Sequence, residues 1–162
     1  MRVSRVKRIV SGGQSGVDRA ALDVGLERKI PIGGWCPKGR LCEDGVIHEK
    51  YPLQETATEI YEERTRKNVE DSDGTLILTR GHASGGTAYT IETALTLGKP
   101  LWIVDFEKAA DGQKAIDWMD RNFIRILNVA GPRESKAPGI YAQAREFLLK
   151  VFLEDEPDPP LS

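Results

Sequence analysis

Four short stretches of this chain mix glycine with hydroxyl, amide and cationic side chains. They are Ser11-Gly12-Gly13-Gln14-Ser15-Gly16-Val17-Asp18, Gly33-Gly34-Trp35-Cys36-Pro37-Lys38-Gly39-Arg40, Thr79-Arg80-Gly81-His82-Ala83-Ser84-Gly85-Gly86-Thr87 and Asn128-Val129-Ala130-Gly131-Pro132-Arg133-Glu134-Ser135. The first and third lead from an apolar run straight into a helical pattern. Glycines at such a junction let backbone N–H groups point at a ligand, and the helix start adds roughly +0.5 of a charge. That chemistry suits phosphate. The same glycines can also do no more than make a tight turn, but two such loops with Lys38, Arg40, Arg80 and Arg133 nearby favour an anion site. The candidate phosphate contacts are Gly12, Gly13, Gln14, Ser15, Gly16, Lys38, Arg40, Arg80, Ser84, Gly85, Gly86, Thr87 and Arg133. Trp35 either stacks on a planar ring or covers the core edge.

Two phosphate motifs fail on inspection. The dinucleotide fingerprint needs G-x-G-x-x-G and an acidic residue closing the second strand. The chain has Gly12-Gly13 then Gly16, with Ile32-Gly33-Gly34-Trp35 where that acid belongs. Gly81 to Gly86 has nucleoside-triphosphatase spacing, but Thr87 stands where the lysine should be. Three acids remain of interest: Asp18, Glu92 and Asp105. Asp18 falls in a first helical turn, where negative charge is favourable without any function. Glu92 lies far enough into its helix either to reach a pocket mouth or to sit on the surface. His48 and His82 lack metal-ligand spacing, and Cys36 and Cys42 match neither a zinc nor a redox motif, so no metal site is expected.

The elements that must position these loops follow from pattern. Apolar runs at 8–10, 30–32, 75–78, 101–104 and 124–127 alternate with helical periodicity at about 17–25, 55–70, 87–97, 111–121 and 139–153. In the first helix Val17, Ala20, Ala21 and Val24 form one stripe. Residues 33–52 read as a long irregular stretch. Strands apolar on both faces with helices between them give a parallel sheet covered on both sides. The expectation is a single Rossmann-like α/β domain over 1–153: an open, doubly wound, five-stranded parallel sheet in three α/β/α layers. Ligands of such sheets sit beyond the strands' carboxyl ends. If the first and third loops share one ligand, their strands should be neighbours, giving the order 2-1-3-4-5. The acidic, proline-rich stretch 154–162 is expected to be a disordered tail, and the basic start a solvated terminus.

The chain has 162 residues, with 23 Lys+Arg against 25 Asp+Glu and a net charge of −2. That balance leaves no basic footprint for a nucleic-acid polymer. No apolar run approaches the ~20 residues of a membrane span, so the expected setting is cytoplasmic. Trp118, Tyr141, Phe147 and Phe152 supply enough aromatic surface to suggest a dimer or tetramer.

Taken together, the four glycine-bearing stretches, with Glu43-Asp44-Gly45, resemble the molybdenum cofactor carrier family from about Arg8 to Phe152. That family is similar in turn to the Lonely Guy-type phosphoribohydrolases, once labelled lysine decarboxylases, whose motif is P-G-G-x-G-T-x-x-E. Here the run is Ser84-Gly85-Gly86-Thr87-Ala88-Tyr89-Thr90-Ile91-Glu92. Both adjacent glycines and the glutamate match; Ser84, Ala88 and Tyr89 replace Pro, Gly and Thr. The resemblance implies Glu92 and Arg64 as catalytic residues, Arg64 standing nine residues before Asp73, with Thr65 where a lysine follows in the enzymes. It implies a phosphorylated, nucleotide-like or pterin-like ligand, with the molybdenum cofactor as cargo. Hydrolysis of a nucleoside 5′-monophosphate is the alternative, and a flavodoxin-like electron carrier is a weaker third.

Overall fold

The structure is a computed structural model that describes residues 5–153. Strands β1 (Arg8–Val10), β2 (Ile32–Gly33), β7 (Gly74–Thr79), β8 (Leu101–Asp105) and β9 (Ile126–Ala130) form one five-stranded sheet. Every pairing in it is parallel. Helices α1 (Val17–Arg28), α2 (Tyr61–Glu70), α3 (Gly85–Thr96) and α4 (Gly112–Arg121) lie between strands, and α5 (Ile140–Val151) follows the last one. α5 packs on both α1 and α4, whereas α2 packs on α3. This division follows from right-handed crossovers: connections running one way along the sheet lie on one face, and those running back lie on the other. The three-layer α/β/α architecture is the one expected.

The strand order differs from the expectation. It is β2-β1-β9-β7-β8, or 2-1-5-3-4 when only the sheet strands are counted. The last strand is inserted between the first and third instead of lying at the edge. The premise of adjacency was unnecessary: with strands about 4.8 Å apart, loops two strands apart are still within reach of one small molecule. Counted from β9 and wrapped through the chain start, the same sheet reads 3-2-1-4-5, the dinucleotide-binding order. The point at which connections diverge therefore lies between β9 and β7.

The interior follows the apolar pattern. All six residues of β7 are buried, as are Leu127 and Val129 of β9. Asn128, equally buried in β9, donates to Thr75 Oγ1 on β7 at 3.2 Å, a polar tie across the central pair of strands. Trp118, Phe147 and Phe152, expected as surplus interface surface, belong to this core. Tyr141 is half-buried and packs against it. α4 opens on Asp111, whose carboxylate accepts from the amides of Gln113 and Lys114, an N-cap of the usual kind.

The stretch read as irregular, 33–52, holds three short strands: β4 (Leu41–Cys42) pairs with β5 (Gly45–Val46), and β3 (Trp35–Cys36) pairs with β6 (Gln54–Glu55) just beyond it. A second small core of Leu22, Cys36, Ile47, Tyr51 and Leu53 lies beneath them. α2 begins at Tyr61, not 55. Among the described residues no helix is long and apolar enough to cross a membrane. The expected tail, 154–162, lies outside the described residues.

Candidate functional site

A cleft of about 320 Å³ opens beyond the carboxyl ends of β1, β9 and β7. Its lining comes from every element that ends or begins there. Gly12, Gln14 and Asp18 come from the β1–α1 junction; Tyr61, Glu62, Arg64, Thr65 and Asn68 come from α2. Thr79, Arg80, His82 and Ser84 lead into Gly85, Gly86, Thr87, Tyr89 and Thr90 of α3, and the loop after β9 adds Gly131, Arg133 and Lys136. The first and third glycine loops therefore face one cavity even though β9 separates their strands.

They do not face it in the same way. The start of α1 is already occupied. The Ser15 amide donates to Gln14 Oε1, the Gly13 amide to Ser11 Oγ, and the Val17 amide to Pro132 O. Gly13 turns away from the cleft, since a Cβ there would meet Leu53 and Ile47 at 2.6 and 2.8 Å. At Gly16, with φ +79°, a Cβ would lie 2.4 Å from the Pro132 carbonyl oxygen, so only glycine lets the β9–α5 loop approach. Asp18 fills the remaining space with its own carboxylate, 5% exposed. Burial pushes that carboxyl up to about 6, against the opposing pull of Arg64, of the Gln14 and Gly131 amides and of Arg19.

The start of α3 is bare. Ser84 provides no side-chain cap, and Gly85 and Gly86 are exposed. No atom lies within 4 Å of where a Gly86 Cβ would stand, while Lys136 Nζ comes 2.7 Å from that position on Gly85. The Lys136 ammonium has no acidic partner among the described residues. In the same lining the Thr79 hydroxyl, on a residue 2% exposed, has no hydrogen-bond partner among the described residues. Free helix-terminal amides, a cation without an acidic partner and a buried hydroxyl without a partner, all on one cavity, are groups whose chemistry suits an anion.

Arg64 crosses this cleft. Its Nη1 lies 3.4 Å from Asp18 Oδ2, and the side chain is 12% exposed. The guanidinium occupies the space a Gly12 side chain would take: a Cβ there would be 1.6 Å from Nη1. It also sits 5.4 Å from the Tyr61 ring centroid. Its Nε is buried without a hydrogen-bond partner among the described residues.

Other candidates are engaged elsewhere. Arg40 does not line the cleft; it donates to the carbonyls of Ile47, Leu53, His48 and Tyr51 and ties their loop together. Lys38 and Trp35 also lie outside it. Trp35 Nε1 donates to Asp71 at 2.8 Å, and Lys67 Nζ covers the ring at 4.5 Å. Glu92 is exposed on α3 and outside the lining. Arg80 reaches the cleft but is bound to Gln143 Oε1 and Pro138 O. Arg133 is paired with Glu43 at 3.2 Å. Glu43 also accepts from Ser15 and Ser135, and those hydroxyls hold its carboxyl below the usual range. The neighbouring Asp44 takes both Nη atoms of Arg19 at 3.1 Å. The Glu43-Asp44 turn thus clasps the first and last loops into one wall.

Lys136, Thr79, Tyr61 and Tyr89 were not among the sequence candidates. Thr79 closes β7 and Lys136 stands one residue beyond the quoted Ser135, so the available signals were a strand end for Thr79 and the loop following β9 for Lys136.

The chain matches the Circularly permutated YpsA SLOG family over residues 9–152. It is also similar to a solved structure from Syntrophus aciditrophicus SB described as a "Putative molybdenum carrier protein", at 46% identity and a TM-score of 0.90, covering 94% of this chain and 98% of that one. No curated protein matches.

Proposed function

The chain belongs to the Circularly permutated YpsA SLOG family, and from that premise we propose that it binds a phosphorylated, nucleotide-like or pterin-like small molecule, with the molybdenum cofactor as its cargo. The strand order supports the reading, because it becomes the dinucleotide-binding order when counted from β9. One observation carries it: the bare start of α3 opens into the cleft beside Lys136 and the orphaned Thr79 hydroxyl. A terminal phosphate fits there, accepting from the amides of Gly86 and Thr87. A planar ring system fits the remainder of the cleft, where Tyr61 and Tyr89 provide aromatic surface. The molybdenum cofactor combines these parts, a single phosphate and a planar pterin, and the solved relative's description points the same way.

Binding without turnover is favoured over hydrolysis of a nucleoside monophosphate by the placement of Glu92. Oxocarbenium stabilisation needs a carboxylate at the reacting carbon, and Glu92 is exposed outside the lining. Titration calorimetry with adenosine 5′-monophosphate and a pterin phosphate tests the proposal. Saturable heat is expected, lost in Gly86→Asp and weakened about tenfold or more in Lys136→Ala. Heat from neither compound would remove the reading. Release of free base by wild type beyond that of Glu92→Gln would restore the hydrolase.

A further inference from the structure

An anion-binding cleft with a buried carboxylate in its wall contains a contradiction in charge. Asp18 is 5% exposed and lines the same cavity as the α3 start. Among the described residues its one side-chain ion pair is with Arg64, through Nη1 at 3.4 Å. That contact is long for a charge-assisted hydrogen bond, and Arg64 Nε has no hydrogen-bond partner among the described residues. The arginine is therefore held but not saturated. Gly12 makes the position possible, since any side chain there would collide with the guanidinium. A phosphate arriving at α3 attracts Arg64 and repels Asp18 within one low-dielectric space.

On the reading that this cleft takes an anion, we propose that Asp18 is the cleft's exchangeable counter-charge: it holds Arg64 across Gly12 when the cleft is empty, and takes up one proton from solvent when an anionic ligand binds and draws Arg64 away. The step balances simply, a carboxylate and a solvent proton giving a neutral carboxyl as the ligand's negative charge enters. Burial has already pushed Asp18 up to about 6, so at pH 7 the carboxyl is still mostly ionised in the empty cleft and has close to one proton to take up when the ligand's charge raises it further. The groups facing Asp18 are Arg64 from α2, Arg19 from its own helix and the amides of Gln14 and Gly131. Further along the lining are Glu62 of α2, Arg80 and His82 after β7, and Arg133 and Lys136 after β9. Of these His82 is the imidazole, the other side-chain type able to exchange a proton with the ligand, so it needs its own control.

The test uses inorganic sulfate, whose charge is constant from pH 6 to 8, beside adenosine 5′-monophosphate. Calorimetry at pH 7 in two buffers of unlike ionisation enthalpy counts the protons. Wild type should take up close to one proton per sulfate, and sulfate affinity should fall by up to tenfold per pH unit as pH rises from about 6 to 8. The uptake should vanish in Asp18→Asn and persist in His82→Gln. Sulfate binding without uptake in wild type, or uptake that survives in Asp18→Asn or is lost in His82→Gln, overturns the proposal and leaves the anion site standing. Failure of both sulfate and the nucleotide to bind at any pH removes the anion site and this proposal together. Should Asp18→Asn not fold, carbon-13 titration of the Asp18 carboxyl in wild type decides instead. A midpoint near 6 that moves up with sulfate supports the proposal; an unmoved midpoint refutes it.

Discussion

Gly12→Ala isolates the Asp18–Arg64 pair from everything else in the site. Gly12 does not need glycine for its backbone, so the methyl group itself introduces no left-handed strain. It would, however, stand 1.6 Å from Arg64 Nη1 and 2.5 Å from Cζ. A flexible side chain yields to such a clash, so the protein should fold with Arg64 displaced and Asp18 left buried without its counterion. Breaking a buried pair on one side costs about 3–5 kcal/mol. The cost depends on pH in a calculable direction. In wild type the carboxyl goes from 3.8 to about 6 on folding, so between these values the folded state binds the extra proton. This group's contribution therefore falls as pH rises through that window and is level above it. Without Arg64, which pulls the value down, the variant's window extends to higher pH. The gap between variant and wild type should therefore be about 3 kcal/mol or more at pH 7.5 and shrink to about 1 kcal/mol at pH 5, where Asp18 is protonated in both. Urea unfolding at the two pH values measures it. An equal gap at both, or none at pH 7.5, would refute the reasoning.

Three further outcomes follow from the same geometry. Gly16→Ala, with φ +79° and a Cβ 2.4 Å from the Pro132 carbonyl oxygen, should cost about 2–4 kcal/mol in urea unfolding with no pH dependence. Trp35→Phe removes the bond to Asp71 and much of the Lys67 contact; it should lower stability by about 1 kcal/mol and leave nucleotide affinity unchanged by calorimetry. Gly86→Asp places a carboxylate at a bare helix start with no atom within 4 Å, so it should raise stability by about 0.3–1 kcal/mol while abolishing ligand binding.

The sequence shows its layers more plainly than its order. The run Gly74 to Thr79 is apolar enough to be buried on both faces, and Asp111 marks the start of α4 by its side chain alone. Nothing in those patterns distinguishes a central strand from an edge one, because parallel strands covered on both sides look alike. The position of β9 follows from the direction of its crossover. Two-residue strands such as Trp35–Cys36 are too short to show alternation, so the 33–55 region is legible only through its partners. At the cleft, glycine spacing pointed to the start of α3, which begins at Gly85 and not at the expected 87, whereas residue type did not separate the cations. Arg40 and Lys136 are equally cationic in sequence. One turns back onto four carbonyls, and the other lies over Gly85 with no acidic partner among the described residues. That difference is set by tertiary folding of the loops.

The central claim is that the anion rests on α3, and amide chemical shifts report on it residue by residue. Titration of nitrogen-15-labelled protein with adenosine 5′-monophosphate should give the largest displacements at Gly85, Gly86 and Thr87, with the Ser15 and Val17 amides, already bonded within the fold, nearly still. Displacements centred on Ser15 to Val17 with the α3 start unmoved would contradict the account.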